Sequence, residues 1–293
     1  MMEITLALGG GGVRGAAHIG VLRVLDREGC KIRGISGTSI GSIIASLYCA
    51  GYSPEQIEAR TASIDFTRIY GRLLSEGPGL LGVSGIQKWL ESQLDDRTFE
   101  DLEIPCAVVA VDLITKQQIN FTKGRVVDAV LGSIAVPGIF PPHHFGSYEL
   151  IDGGTLDPVP VRSARDFAPD LPNVAVILSV PPESPHAPLS VPLPFPSIIS
   201  NRLTRFRITQ AFGIFLEAVD IGQRSITALR LEADKPDFLI RPDLKGTSFL
   251  GEIEVKNVVR RGEVAAENIL PELRKTAFWR SRVIRSLRKL GAR

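Results

Sequence analysis

Apolar residues from Ile4 to Leu8 form a short continuous run that ends in four glycines, the pattern of a buried parallel strand. The period then lengthens. From Arg14 to Glu28, Ile19, Leu22 and Leu25 fall on one helical face, and Gly29 supplies the stop. Ile32 to Ile35 reads as a second strand, running into Gly37-Thr38-Ser39-Ile40-Gly41 and then the apolar helix Ser42 to Ala50. Strand, turn and helix thus occur twice in succession, which predicts α/β architecture. Ser53-Pro54-Glu55 opens a further helix, because serine caps and proline suits the first helical position.

Residues 71–83 are a glycine-rich connection, and Ser84 to Leu94 returns to a helical period. Ala107 to Asp112 and Gln118 to Phe121 alternate as strands around a turn at Thr115-Lys116. Val126 to Ala135 is a short helix stopped by Pro137, and residues 138–145, with two prolines, read as a rigid loop. Tyr148 to Ile151 is a strand leading to Asp152-Gly153-Gly154, and Val174 to Val180 is a last strong strand. Residues 181–196 hold seven prolines and read either as a stiff connector or, through Val191, Leu193 and Phe195, as a lipid-contacting loop. A long helix from Leu203 to Glu232, a short strand from Asp237 to Arg241 and helix from Val255 onward complete the pattern.

Composition narrows the class. With 44% hydrophobic and 23% charged residues, the 293-residue chain has material for a buried core, and a net charge of +2 argues against a general nucleic-acid binder. Glu272 to Arg293 holds eight basic residues and one acidic, a local +7 that exceeds the whole chain's balance, so basicity belongs to the tail. There Trp279, Val283, Leu287 and Leu290 recur at helical intervals. The stretch reads as a basic amphipathic helix for an anionic membrane surface, or as a terminal helix docked on the core. Cys30, Cys49 and Cys106 lie in apolar stretches, which suits small core residues in a reducing compartment better than disulfides or a metal site. No cluster of metal ligands is visible. Glu3 and the glycines oppose a secretory signal, and no apolar run reaches the length of a membrane span. The expected location is cytoplasmic, with a peripheral position on the inner membrane face as the tail's contribution.

Gly37-Thr38-Ser39-Ile40-Gly41 matches G-x-S-x-G between a strand and a helix. That context suits a nucleophile lifted to the sheet edge on a sharp turn, beside the partial positive charge of a helix start. Gly10, Gly12 and Gly15 also fit the spacing of a dinucleotide-binding turn. The second strand ends in Gly37-Thr38-Ser39, however, without the acidic residue that would hold a ribose, and no Gly-Lys-Ser/Thr follows to make a phosphate loop. Consecutive glycine amides with a helix dipole behind them suit an oxyanion hole instead. Arg14 either pins that loop through carbonyls or is a solvated first-turn residue. A histidine base for Ser39 is poorly supported. His18 sits on the first helix, His143 and His144 are adjacent and diverge, and His186 lies among prolines. Asp152 at a strand end is either a turn former or the missing base.

Gly10-Gly11-Gly12-Val13-Arg14-Gly15, Gly37-Thr38-Ser39-Ile40-Gly41 and Asp152-Gly153-Gly154, in this order, resemble the three motifs of the patatin-like phospholipase family, in its short bacterial form. The flanking RGAAHIGVL, AVDLITKQQINF and SIAVPGIFPP agree, and the resemblance spans residues 4–180. It implies a three-layer α/β/α sandwich with a mostly parallel central sheet, to which the sequence adds a helical C-terminal region. It implies a Ser39–Asp152 dyad, with Gly10, Gly11 and Gly12 as the oxyanion hole and Arg14 and Gly15 supporting the loop. Gly37, Gly41, Gly153 and Gly154 are the motif glycines. The implied activity is hydrolysis of phospholipid or lysophospholipid acyl esters without metal or cofactor. Acyl transfer, soluble esterase or thioesterase action with the same dyad, or a membrane-binding protein with a vestigial site, are the alternatives. The expected organisation is a catalytic core over 1–190, a helical continuation over 191–271 and the basic tail over 272–293.

Overall fold

The computed structural model describes residues 2–62, 82–179, 202–247 and 253–290, and side chains within these stretches except at 202–209, 212, 216 and 277–290. The proline-rich segment 181–196, most of the glycine-rich connection 71–83 and the apolar stripe of the tail lie outside what is described. The elements begin with β1 (Glu3–Leu8), a 3₁₀ turn (Gly12–Gly15), α1 (Ala16–Arg27), β2 (Lys31–Thr38), α2 (Ile40–Cys49), α3 (Pro54–Ala62) and α4 (Ser84–Leu94). Next come β3 (Cys106–Asp112), β4 (Gln117–Phe121), α5 (Val126–Ser133), β5 (His143–Phe145), β6 (Tyr148–Asp152) and α6 (Val161–Arg165). The described chain closes with β7 (Asn173–Val176), α7 (Arg202–Asp234), β8 (Phe238–Ile240) and α8 (Val255–Leu290).

The strands form one open sheet in the order β5-β6-β3-β2-β1-β7-β8, with β4 pairing β3. From β3 through β2, β1 and β7 to β8 all pairs are parallel, whereas β4 and β6 run antiparallel to β3. Alternation along β1 separates the two faces. Ile4, Leu6 and Leu8 enter the main core with α1, α2, α5 and α8, while Ala7 packs on α6 through Val161 and Ala164. Helices thus cover both faces of a mostly parallel sheet, the expected three-layer arrangement.

Local chemistry accounts for the element ends. At α3, Gln56 N–H donates to Ser53 Oγ (3.3 Å) and Ser53 N–H donates to the Gln56 side chain (2.9 Å), a reciprocal cap. The segment read as a rigid loop contains β5, because Gly146, at φ 60°, turns a tight hairpin that pairs Phe145 with Tyr148 and His143 with Leu150. Two prolines just before so short a strand hide it from any periodicity. β2 runs three residues beyond Ile35, since Ser36, Gly37 and Thr38 are buried but carry no apolar signal.

The C-terminal region joins the same sheet, as β8 pairs with β7 and α8 lies along α1. α8 is one 36-residue helix that continues through the basic tail, rather than a separate tail element. The two helices touch backbone to backbone. A Cβ on Gly20 would sit 2.0 Å from the Val259 carbonyl oxygen, and one on Gly262 2.0 Å from that of Ala17. Arg23 ties the contact to α3, with its guanidinium on Glu263 (2.7 Å), Glu55 (2.9 Å) and Glu58 (2.5 Å).

This crossing predicts opposite outcomes for one substitution at two helical glycines. Gly→Ala gains about 0.8–1.0 kcal/mol in helix propensity, and a Cβ at Gly222 meets nothing within 4 Å. Gly222→Ala is therefore expected to raise stability by up to about 1 kcal/mol. Gly262→Ala is expected to lower it, because overpacking costs about 1–3 kcal/mol and exceeds the propensity gain. Urea unfolding of both variants checks the pair of signs.

Candidate active site

β3 brings the sequence motifs together. Along one edge of β3, β2 runs parallel up to Thr38 opposite Val109, and β6 runs antiparallel up to Asp152 opposite Ala110. β4 occupies the other edge over the same residues, so β2 and β6 meet end to end. The turns that follow them therefore open at one point. A Cβ on Gly153 would lie 2.3 Å from the Val109 carbonyl oxygen, so the chain can leave β6 only with no side chain there.

Ser39 sits on that junction with φ 55° and ψ −127°, a backbone conformation that costs on the order of 1–3 kcal/mol for a residue with a side chain. The flanking glycines make the turn possible. A Cβ on Gly37 would lie 2.4 Å from the Gly41 oxygen, and one on Gly41 2.2 Å from that of Leu8. Ser39 Oγ donates to Asp152 Oδ2 at 2.5 Å, while Gly154 N–H donates to Asp152 Oδ1 at 2.7 Å. Burial raises the Asp152 pKa to about 6, against the lowering effect of those two hydrogen bonds.

A second serine holds the turn. Ser133, at the end of α5, donates from Oγ to the Val109 carbonyl (2.6 Å) and accepts the Ser39 N–H (2.9 Å). It fills the place where the ladder passes from β2 to β6. Thr38 Oγ donates to the Asp157 carbonyl at 2.9 Å, tying the end of β2 to the chain that leaves the 3₁₀ turn at 153–155.

The glycine loop after β1 faces the same cavity, which Gly10, Gly11 and Arg14 line together with Ser39 and Asp152. The Gly10 N–H is already committed to the Pro158 carbonyl at 2.9 Å. The Gly12 N–H stands at the first position of the 3₁₀ turn, where no intrahelical acceptor exists. Arg14 is buried and donates twice to the Thr247 carbonyl, at 3.0 and 2.8 Å. Its guanidinium thus pins the loop through a carbonyl of the segment after β8, and is not solvated. Burial lowers its pKa without removing its charge. Gly15 gives α2 its approach, since a Cβ there would lie 2.0 Å from Ile40.

His18 is fully buried, and its Nε2–H donates to the Gly9 carbonyl at 2.8 Å. Burial lowers its pKa to about 4, so it is neutral and acts on the loop, away from Ser39. His143 faces Asp128 at 3.5 Å, and none of the described histidines lines the cavity; His186 lies outside the described residues. No group of three potential metal ligands occurs among the described residues, and the three cysteines are buried and free.

Sequence reasoning missed the fourth wall. Asp220, Gln223, Arg224 and Thr227 of α7 also line the cavity, with Arg224 Nε 2.6 Å from Asp220. Their spacings of three, one and three place them on one helical face, which was readable. No motif tied that face to Ser39. Ser133 had a signal only as part of the SIAVPGIFPP flank.

The family model described as patatin-like phospholipase matches residues 6–165. An NTE family protein of Mycobacterium tuberculosis is 36% identical over 180 residues, covering 60% of this chain and 49% of that protein. Patatin-like phospholipase domain-containing protein 7 of Rattus norvegicus is 30% identical over 171 residues, covering 56% of this chain and 13% of that protein. The matched part thus spans about half or less of these curated relatives. Among solved structures, VipD from Legionella pneumophila superposes with a TM-score of 0.58 at 13% identity, over 92% of this chain and 67% of that one, a likeness of fold.

Ser133→Ala is expected to destabilise the protein by about 1–3 kcal/mol, because it strands a buried N–H and a buried carbonyl at once. Chemical denaturation measures the loss. A cost below a few tenths of a kcal/mol would remove Ser133 from the junction.

Proposed function

Because the chain belongs to the patatin-like phospholipase family, whose model matches more than half of it, we propose that it hydrolyses acyl esters of lipids. In this reading Ser39 is the nucleophile and Asp152 the general base. The observation that carries it is the 2.5 Å hydrogen bond from Ser39 Oγ to a buried carboxylate, at a junction of two strand ends that has no other evident use.

Asp152 takes the hydroxyl proton as Oγ attacks the ester carbonyl carbon. The amides of Gly11 and Gly12 stabilise the oxyanion; with the Gly10 N–H committed to Pro158, two donors serve this reading better than three. Such donors contribute on the order of 10²–10³ in rate each. As the tetrahedral intermediate collapses, Asp152 returns the proton to the departing alcohol oxygen, leaving an acyl-serine. Asp152 then draws a proton from water, whose oxygen attacks the acyl carbon. Collapse frees the fatty acid and restores the Ser39 hydroxyl. Burial makes this cycle practicable. An aspartate at its ordinary value is a poor base, whereas one raised to about 6 takes and returns a proton near neutral pH. The handicap expected of a carboxylate beside an imidazole is therefore reduced.

Phospholipids and lysophospholipids are the substrates we favour, and none of the described helices is long and apolar enough to cross a membrane. Mass-spectrometric product analysis over phospholipid, lysophospholipid and short-chain ester panels, with and without an alcohol acceptor, tests the reading. Ser39→Ala is expected to lose all turnover and labelling by a fluorophosphonate probe while staying folded, and Asp152→Asn to retain slow residual turnover. Full activity in Ser39→Ala would refute the assignment.

The pH dependence follows from the raised carboxyl. The base works deprotonated, so kcat/KM on a soluble short-chain ester is expected to fall tenfold per pH unit below about 6 and to level off above it. A profile centred near the ordinary carboxylate range would contradict the buried state of the base.

A further inference from the structure

The two carboxylate oxygens of Asp152 meet different partners. Oδ2 accepts from Ser39 Oγ, and Oδ1 accepts from the Gly154 N–H. Gly154 lies within the 3₁₀ turn at 153–155, a helical conformation open to any residue, so what its missing side chain supplies is room. A Cβ there would lie 2.9 Å from Asp152 Oδ1 and 2.9 Å from Gln223 Nε2. The base and the Gln223 carboxamide therefore border one small space. Both line the cavity that holds Ser39, as does Gly154.

The neighbours of Gln223 on that wall are engaged with protein groups. Arg14 donates to the Thr247 carbonyl, Arg224 pairs with Asp220 across one helical turn, and Thr227 Oγ1 donates to the Gln223 carbonyl at 2.7 Å. The Gln223 side chain is partly buried and meets no hydrogen-bond partner among the described residues. From this arrangement we infer that Gln223 is a further catalytic residue, which holds the water that hydrolyses the acyl-serine. The inference rests on the Ser39–Asp152 reading above, whose second half needs a water placed beside Asp152. The water oxygen bonds to the acyl carbon while one of its protons passes to Asp152. On collapse the bond to Ser39 Oγ breaks, and Asp152 returns that proton to Oγ. Gln223 takes no proton and supplies orientation. A neutral amide suits this place. A carboxylate would oppose ionisation of Asp152, and a cation would favour it and weaken the base, whereas a carboxamide offers donor and acceptor without either effect.

The test uses the full chain and p-nitrophenyl butyrate, a soluble ester that leaves a butyryl group on Ser39. Gln223→Leu keeps most of the bulk and removes both polar atoms. In that variant the butyryl adduct, followed by intact-protein mass spectrometry, is expected to decay about tenfold more slowly, the worth of one transition-state hydrogen bond. Acylation does not use this water, so kcat/KM and the rate of fluorophosphonate labelling are expected to hold while kcat and KM fall together. Gln223→Glu sets a second carboxylate beside the base, and the pH midpoint of kcat/KM is expected to rise above about 6. Unchanged decay in Gln223→Leu, a fall in kcat/KM alone, or an unmoved midpoint in Gln223→Glu would each overturn the inference. So would a uniform loss of all rates with a lower melting temperature, which marks a structural role. Absent labelling and absent butyryl-serine in the unsubstituted protein would bring down the Ser39 reading itself.

Discussion

The end-to-end meeting of β2 and β6 against β3 is the constraint on which the rest of the site depends. Two strands running in opposite directions cannot both continue along one edge, so each must turn out of the sheet at Val109 and Ala110. Backbone polar groups at such a break need partners, because unpaired buried groups are costly. Ser133 supplies them, bonding the Val109 carbonyl on one side and the Ser39 amide on the other. The glycines before and after each turn then let backbone pass backbone at distances no side chain permits.

Burial sets the proton affinity of the titratable groups around this junction. Asp152 is 1% exposed and its carboxylate accepts from Ser39 and Gly154, so desolvation outweighs those two bonds and lifts its proton affinity towards neutrality. The same enclosure drives His18 the other way. A buried imidazole resists its charge and stays a donor to Gly9, where it fixes the glycine loop instead of competing for the Ser39 proton. Desolvation thus acts with opposite sign on an acid and a base.

The region beyond the family match is woven into the same structure. Thr247 holds Arg14, Asp234 receives Arg162 at 2.5 Å, and Arg230 reaches Leu156 and Gln118. Among the described side chains, those of α7 that line the cavity or face the core from Asp220 onward thus answer the end of the sheet that holds Ser39.

The sequence by itself determined the alternation of elements, the G-x-S-x-G turn and the three ordered motifs, because each rests on local chemistry. Periodicity marks β1 and α1, a proline and a serine mark α3, and G-x-S-x-G describes a turn complete within five residues. Ser84–Leu94 appears in the structure as read. What lay beyond the sequence depends on partners far along the chain. Ser133 is an ordinary helix-end serine until Val109 and Ser39 stand on either side of it. Arg14 has no visible target until Thr247, 233 residues away, arrives beside it. His18 and Asp152 are ordinary titratable side chains until the fold removes water from both. Which face of α7 lines the cavity was equally undecidable, since a helical stripe specifies two faces and only packing decides which of them is buried.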